Sequence, residues 1–130
     1  MRIMISFDDF KKMEITMGKI LSAEKIADTD KLLKLKVHFG TKLECVPQEQ
    51  LQKSELNECD DVRQVVSGIV LHFPDPEKLV GLTCAFVTNL EPRNIKGLVS
   101  EAMILALGGD GEPFSLLVPN AEVSPGTKAR

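Results

Sequence analysis

Hydrophobic and polar positions alternate most regularly over residues 33–39. Leu33, Leu35, Val37 and Phe39 fall on one side, and Lys34, Lys36 and His38 on the other. This period of two predicts a half-buried strand with a basic outer face. Upstream, Ser6 precedes Phe7, Asp8, Asp9 and Phe10; a hydroxyl cap followed by acids predicts a helix start, with Phe7, Phe10 and Met13 sharing a face. Met13, Ile15 and Met17 then alternate, and the phase slips after Gly18 to reach Ile20. That predicts a strand over 14–24, bulged at the glycine. A polar turn at 27–31 separates the two strands.

Beyond Gly40 the alternation lapses. Residues 44–61 have helix-forming composition but only Leu51 and Leu56 to bury, so they are read as an excursion from the core. Residues 62–70 return as a strand with a bend at Gly68, and Pro74, Pro76 and Gly81 bracket a helical turn at 77–79. Residues 82–90 form a nearly continuous apolar strand ended by Pro92; 100–107 and 114–118 supply two more, separated by the hairpin signal GGDGEP. About six short strands with one short helix favour a small barrel over a βαβ fold.

The chain has 130 residues, 43% hydrophobic and 27% charged, the makeup of one globular domain spanning 1–130. Three cysteines, none at C-x-x-C spacing, make neither a disulfide framework nor a zinc module, so a reducing, cytoplasmic setting is expected. No apolar run approaches a membrane span, and charge arrives too early in MRIMISFDDFKK for a secretory signal. A membrane partner is therefore not expected. The net charge of −3 taken alone argues against nucleic acid. Residues 44–61, however, carry six acids and one lysine, whereas residues 11–42 carry eight lysines and four acids. One segment masks a basic N-terminal third.

Catalytic and metal-binding constellations are lacking, and no cofactor is expected. His38 sits on an outward strand position and His72 in a turn, neither with a Cys or Asp partner at motif spacing. Cys45, Cys59 and Cys84 read as inert thiols. Gly108, Gly109 and Gly111 lack the lysine and helix of a phosphate loop. The informative stretch is NLEPRNIKGLVSEAMILA, residues 89–106, where Arg93 and Lys96 sit in a Pro/Gly turn just before an apolar strand opening at Ser100.

These residues belong to a longer pattern. F-x-K-x-E-I-x-x-G-K-I from Phe10, D-K-L-L-K-L-K-V-x-x-G from Asp30, R-Q-V-V-S-G-I from Arg63 and P-E-x-L-V-G from Pro76 are followed by N-L-x-P-R-x-I-x-G-x-x-S-E-A-M-I-L-A and by a last block, L-L-x-P with P-G-T-K. Six blocks in this order resemble the tRNA-binding domain family. That family includes C-terminal appendages of many methionyl-tRNA synthetases, free-standing dimeric tRNA-binding proteins and cytokine-like members. The departure is the acidic segment 44–61, where the family passes between strands by a short link.

The resemblance implies an all-β fold, a five-stranded OB barrel with a short N-terminal helix and a C-terminal extension. It implies a non-catalytic module that binds tRNA by backbone and shape, alone or alongside a methionyl-tRNA or other synthetase. Absence of Trp and Tyr agrees, since base stacking on aromatics is then a minor term. Carried over position by position, the RNA-facing strand mouth falls on Asn89, Arg93, Ser100 and Met103, with Lys31 from the first polar turn. Arg93 would contact phosphate, Asn89 and Ser100 would hydrogen-bond sugar or base edges, and Met103 would give an adaptable apolar surface. Lys34 and Lys36 add the basic strand face. The ending VPNAEVSPGTKAR resembles the dimeric branch of the family, whose members join through the N-terminal helix region and the C-terminal extension, and this resemblance implies a homodimer. Two other readings stay open: a secretion-chaperone-like dimer that binds unfolded polypeptide, and a synthetase-complex or cytokine-like interaction module using the acidic segment.

Overall fold

The computed structural model describes residues 2–41 and 60–130. The predicted excursion, with Cys45, Leu51, Leu56 and Cys59, lies outside the described residues except for Asp60 and Asp61. Helix α1 (Phe7–Lys11) starts as its cap predicts: Ser6 Oγ accepts the Asp9 N–H at 3.0 Å, and the Asp9 carboxylate accepts the Ser6 N–H. The helix buries no residue, and Phe7 is 72% exposed.

The strands are β1 (Ile15–Lys25), β2 (Leu33–Thr41), β3 (Asp60–Ser67), β4 (Thr83–Val87), β5 (Arg93–Ile95), β6 (Leu98–Ser100), β7 (Met103–Ile104), β8 (Ala106–Gly109) and β9 (Glu112–Leu116). Five of them form one antiparallel sheet in the order β3-β2-β1-β4-β7, while β5–β6 and β8–β9 form separate hairpins. The sheet curls into a half-barrel of OB-like, all-β architecture. Single-turn 3-10 helices occupy Val70–His72 and Pro76–Leu79.

Strand β2 buries Leu33, Leu35, Val37 and Phe39 as its alternation predicts. In β1 the buried positions are Thr16, Gly18 and Ile20 rather than Ile15 and Met17, and the bulge falls between Ile20 and Ser22, past Gly18. Gly18 is required by packing: a Cβ there would lie 2.5 Å from both Phe39 Cε1 and Val37 Cγ1. Thr16 escapes an apolar reading because its hydroxyl lies 2.7 Å from the Thr88 hydroxyl inside the barrel. Strand β4 has no alternation because both of its faces are covered: Cys84 and Phe86 join the core, and Ala85 and Val87 on the opposite face are buried as well.

Residues 100–107 are broken into pieces, and the break ties the two sides of the half-barrel together. Glu101 N–H donates to Gln64 O at 2.8 Å and Val66 N–H to Ser100 Oγ at 3.0 Å, so this part bonds β3. Two residues later β7 pairs with β4, and Leu105 N–H reaches Ala85 O at 3.0 Å. One short segment thus spans both edges of the sheet. The C-terminal P-G-T-K segment does similar work for β1: Met17 N–H donates to Thr127 O, Gly126 N–H to Met17 O and Ala129 N–H to Ile15 O, each at 2.8 Å.

Candidate nucleic-acid interface

Two tight turns shape the site. In the β5–β6 hairpin, Ile95 pairs with Leu98, leaving Lys96 and Gly97 as a two-residue loop with φ of +53° and +84°. This is the left-handed geometry of a type I′ turn. Asn94 Oδ1 braces it by accepting the Gly97 N–H at 3.0 Å. Between β1 and β2, Thr29 Oγ1 donates to Ile26 O at 2.8 Å, and Val70 N–H donates to Lys31 O at 3.1 Å. The hairpin's far strand is fixed to β3, since Gln64 Nε2 donates to Val99 O at 3.0 Å.

These restraints put most of the sequence-predicted residues on one side of the barrel. Arg93, Ser100 and Met103 line a shallow cavity of about 70 Å³ with Val66 and Leu90. Lys31 and Lys96 line a second, more open depression of about 400 Å³, and Ile95 borders both. Lys34 and Lys36 lie alongside, opposite Val66 and Gln64 of β3. Arg93 is exposed and Met103 is 46% exposed. Lys36 and Lys31 are exposed, but Lys34 is held by Glu24 at 2.6 Å. Asp28, Asp30 and Glu91 share the rims, so the face is mixed in charge rather than a uniformly basic patch.

Two predicted contacts take different positions. Ser100 is 7% exposed; its hydroxyl accepts the Val66 N–H and donates to Ala102 O, both at 3.0 Å. A buried side chain with two backbone partners fixes the hairpin to β3. Asn89 Oδ1 accepts the Glu14 N–H at 2.9 Å and its Nδ2 donates to Lys12 O at 2.6 Å. It clamps the exit of α1 to the end of β4.

Other polar residues prove structural without having been singled out by role. Arg63 donates from Nε and Nη2 to both Asp61 oxygens, at 3.1 and 3.0 Å, and from Nη1 to Thr88 O at 2.8 Å. Its guanidinium lies 5.3 Å from the Phe39 ring centroid. The Asp-x-Arg spacing on one strand face was the available signal. Thr88 Oγ1 lies 2.6 Å from Glu14 Oε1, and Lys128 Nζ lies 3.1 Å from the same oxygen and 3.2 Å from Thr16 Oγ1. The Thr88 hydrogen bond, then Lys128, hold the Glu14 carboxyl below its ordinary value against the opposing effect of burial. Burial pushes the Cys84 thiol up to about 12, so it is inert. His38 is not simply solvated: it is half-buried, with Nε2 3.3 Å from Asp60 Oδ1. His72 is exposed and stacks on Phe114, centroids 3.9 Å apart. Among the described residues no cluster of His, Cys, Asp and Glu could hold a metal ion, and no helix is long and apolar enough to cross a membrane.

Comparison with known proteins gives the face its context. A family model, "Putative tRNA binding domain", matches residues 41–128. A methionine–tRNA ligase of Bacteroides fragilis is 36% identical over 129 residues, 99% of this chain and 16% of that protein. One from Methanospirillum hungatei is 43% identical over 126 residues, 97% of this chain and again 16% of the relative. The chain thus spans about a sixth of the length of these relatives. Among solved structures, a MetRS related protein from Pyrococcus horikoshii superposes with a TM-score of 0.78 at 29% identity, covering 99% of this chain and all of the other. Chaperone CsaA from Bacillus anthracis gives 0.74 at 25% identity, covering 98% and 100%.

Proposed function

The chain belongs to the tRNA-binding domain family, and from that premise we propose that it is a non-catalytic module that holds tRNA mainly by its phosphate backbone and shape, in the service of a methionyl-tRNA synthetase. The observation that carries this is the convergence of Arg93, Lys31, Lys96 and Met103 around two depressions that share Ile95, with Lys36 exposed on the adjoining strand β2. A-form stems close their deep groove to side chains, so cations on a rim meet phosphates and 2′-hydroxyls, not base edges. With acids interspersed, binding is modest and salt-sensitive, as an auxiliary domain requires.

Arg93 is the key cation, because it projects from β5 with no salt bridge among the described residues. Arg93→Ala weakens binding of bulk tRNA and flattens its salt dependence by about one unit or less, one phosphate contact being lost. Fluorescence anisotropy at several salt concentrations reads both quantities, and unchanged affinity and slope would remove Arg93 from the interface.

The module acts in the cytoplasm as a homodimer. The support for association is the exposed apolar run Ile3, Met4, Ile5 and Phe7 at the N-terminus, with Leu117 and Val118 also exposed. Two copies of a weak phosphate-binding face gain avidity when one tRNA spans both. Light scattering at tens of micromolar should give twice the chain mass; a monomer rules the dimer out. The chaperone-like reading draws on the structural likeness to CsaA, and preferential capture of denatured polypeptide over tRNA would favour it.

A further inference from the structure

We propose that the depression between the 28–32 turn and the tip of the β5–β6 hairpin is a pocket for one extruded nucleotide, with Lys31 and Lys96 taking its phosphate and Asp28 and Asp30 selecting a guanine base. The inference rests on the tRNA-binding reading and specifies which part of the RNA this end of the face takes. The depression, about 400 Å³, is lined by Asp28, Thr29, Asp30, Lys31, Leu32, Ile95 and Lys96. That volume falls in the range of small-ligand sites.

Three observations point to a nucleotide rather than a bare phosphate. First, the lining combines aliphatic surface from Leu32 and Ile95 with both signs of charge. A phosphate alone gains nothing from two carboxylates, whereas a nucleotide presents an anion, an apolar ring face and polar base edges together. Second, Asp28, Asp30, Lys31 and Lys96 form no salt bridge among the described residues, although all four border the same depression. Their charges are left available to a ligand. Third, Lys96 occupies a left-handed φ of +53° at the hairpin tip, a position where Asn or Gly is preferred and lysine is strained. Strain held at a tip braced by Asn94 is what a functional cation there would require.

The base assignment follows from hydrogen-bond chemistry. Carboxylates only accept, so they select a base edge that donates. Guanine offers two adjacent donors on its Watson–Crick edge, N1–H and the N2 amino group, which fit a carboxylate side by side. Uracil offers one donor flanked by two carbonyl oxygens, which a carboxylate repels. Both walls are pre-formed: in the first turn Thr29 Oγ1 bonds Ile26 O and the Lys31 carbonyl is held by Val70, and at the hairpin tip Asn94 Oδ1 holds the Gly97 N–H. Little ordering remains to be done on binding.

The test uses the whole chain, bulk tRNA, and guanosine and uridine 5′-monophosphates. Lys96→Asn removes the charge while suiting the left-handed turn, and Asp28→Asn does the same at φ +63°. Lys96→Asn is expected to weaken tRNA binding about three- to tenfold, the scale of one charge-assisted phosphate contact. Titrations followed at the Ile95 methyl resonance should saturate at lower guanosine than uridine monophosphate, and the double variant Asp28→Asn, Asp30→Asn should erase that preference. Equal response to the two nucleotides overturns the proposal, as does a rise in tRNA affinity of the double variant, which would show that the acids only repel. Wild-type chain that fails to bind bulk tRNA defeats the broader reading. Binding that is lost in Arg93→Ala but kept in Lys96→Asn defeats the pocket alone.

Discussion

Ser100 and Arg93 face each other across the β5–β6 hairpin and do opposite jobs. The serine hydroxyl is inside, holding the Val66 amide of β3 to the hairpin, and the arginine is outside. Removing the hydroxyl leaves the Val66 N–H, in a residue only 6% exposed, without its partner. Ser100→Ala should therefore cost about 1–3 kcal/mol of stability in urea unfolding. It should also weaken tRNA binding while leaving the salt slope intact, because no phosphate contact goes with it. Weakened tRNA binding in a Ser100→Ala chain whose unfolding stability is unchanged would restore Ser100 as a direct contact. Sequence pattern could not separate these two residues, since a small hydroxyl beside a cationic turn reads the same whether it points in or out.

At the scale of elements, the C-terminal P-G-T-K segment behaves as an added edge to β1, fastened by backbone bonds and by the ion pair of Lys128 with Glu14. Because the folded carboxyl of Glu14 is held below its ordinary value of 4.5, its ionised form stabilises the fold above that pH. The contribution is lost as pH falls through the lower folded value. Glu14→Gln should accordingly lose less stability than wild type between neutral pH and the acid range, as thermal melts across a pH series would show; identical profiles would deny Glu14 this role. Strand β2 was fully legible in its alternation, with all four apolar positions buried. The register of β1 was not, because Thr16 is polar yet internal and Gly18 is needed for close approach of Val37 and Phe39. Both facts depend on strands distant in sequence.

For the whole molecule, the charge distribution sets how tightly RNA can be held. The acidic stretch reads as residues 44–61, but Asp60 and Asp61 belong to β3, where Asp61 is bonded bidentately to Arg63 and Asp60 meets His38. That leaves four acids in residues 44–59, against one lysine. Thr41 and Asp60 are register partners, so a short turn can join β2 to β3 in their place. Replacing 44–59 in this way removes a net charge of −3, and a pure tRNA module should bind tRNA more tightly, most visibly at low salt where screening is weakest. A loss of tRNA affinity would assign the segment a part in recognition.

The sequence by itself determined the small all-β class, the capped helix, β2 and its basic face, the glycine-rich hairpin turn between β8 and β9 and, through its ordered motifs, the family. These are local or pattern properties: a period of two, a cap three residues from its partner, a turn that demands positive φ. Only the tertiary structure decided which polar residues are free to meet a ligand. Ser100, Asn89, Lys34 and Arg63 spend their polar groups on Val66, Glu14, Glu24 and Asp61, whereas Arg93, Lys36, Lys31 and Lys96 form no ion pair among the described residues. The physical reason is that a hydrogen bond or ion pair between strands far apart in the chain leaves no periodic trace. The availability of a side chain is fixed by what the folded sheet brings to it.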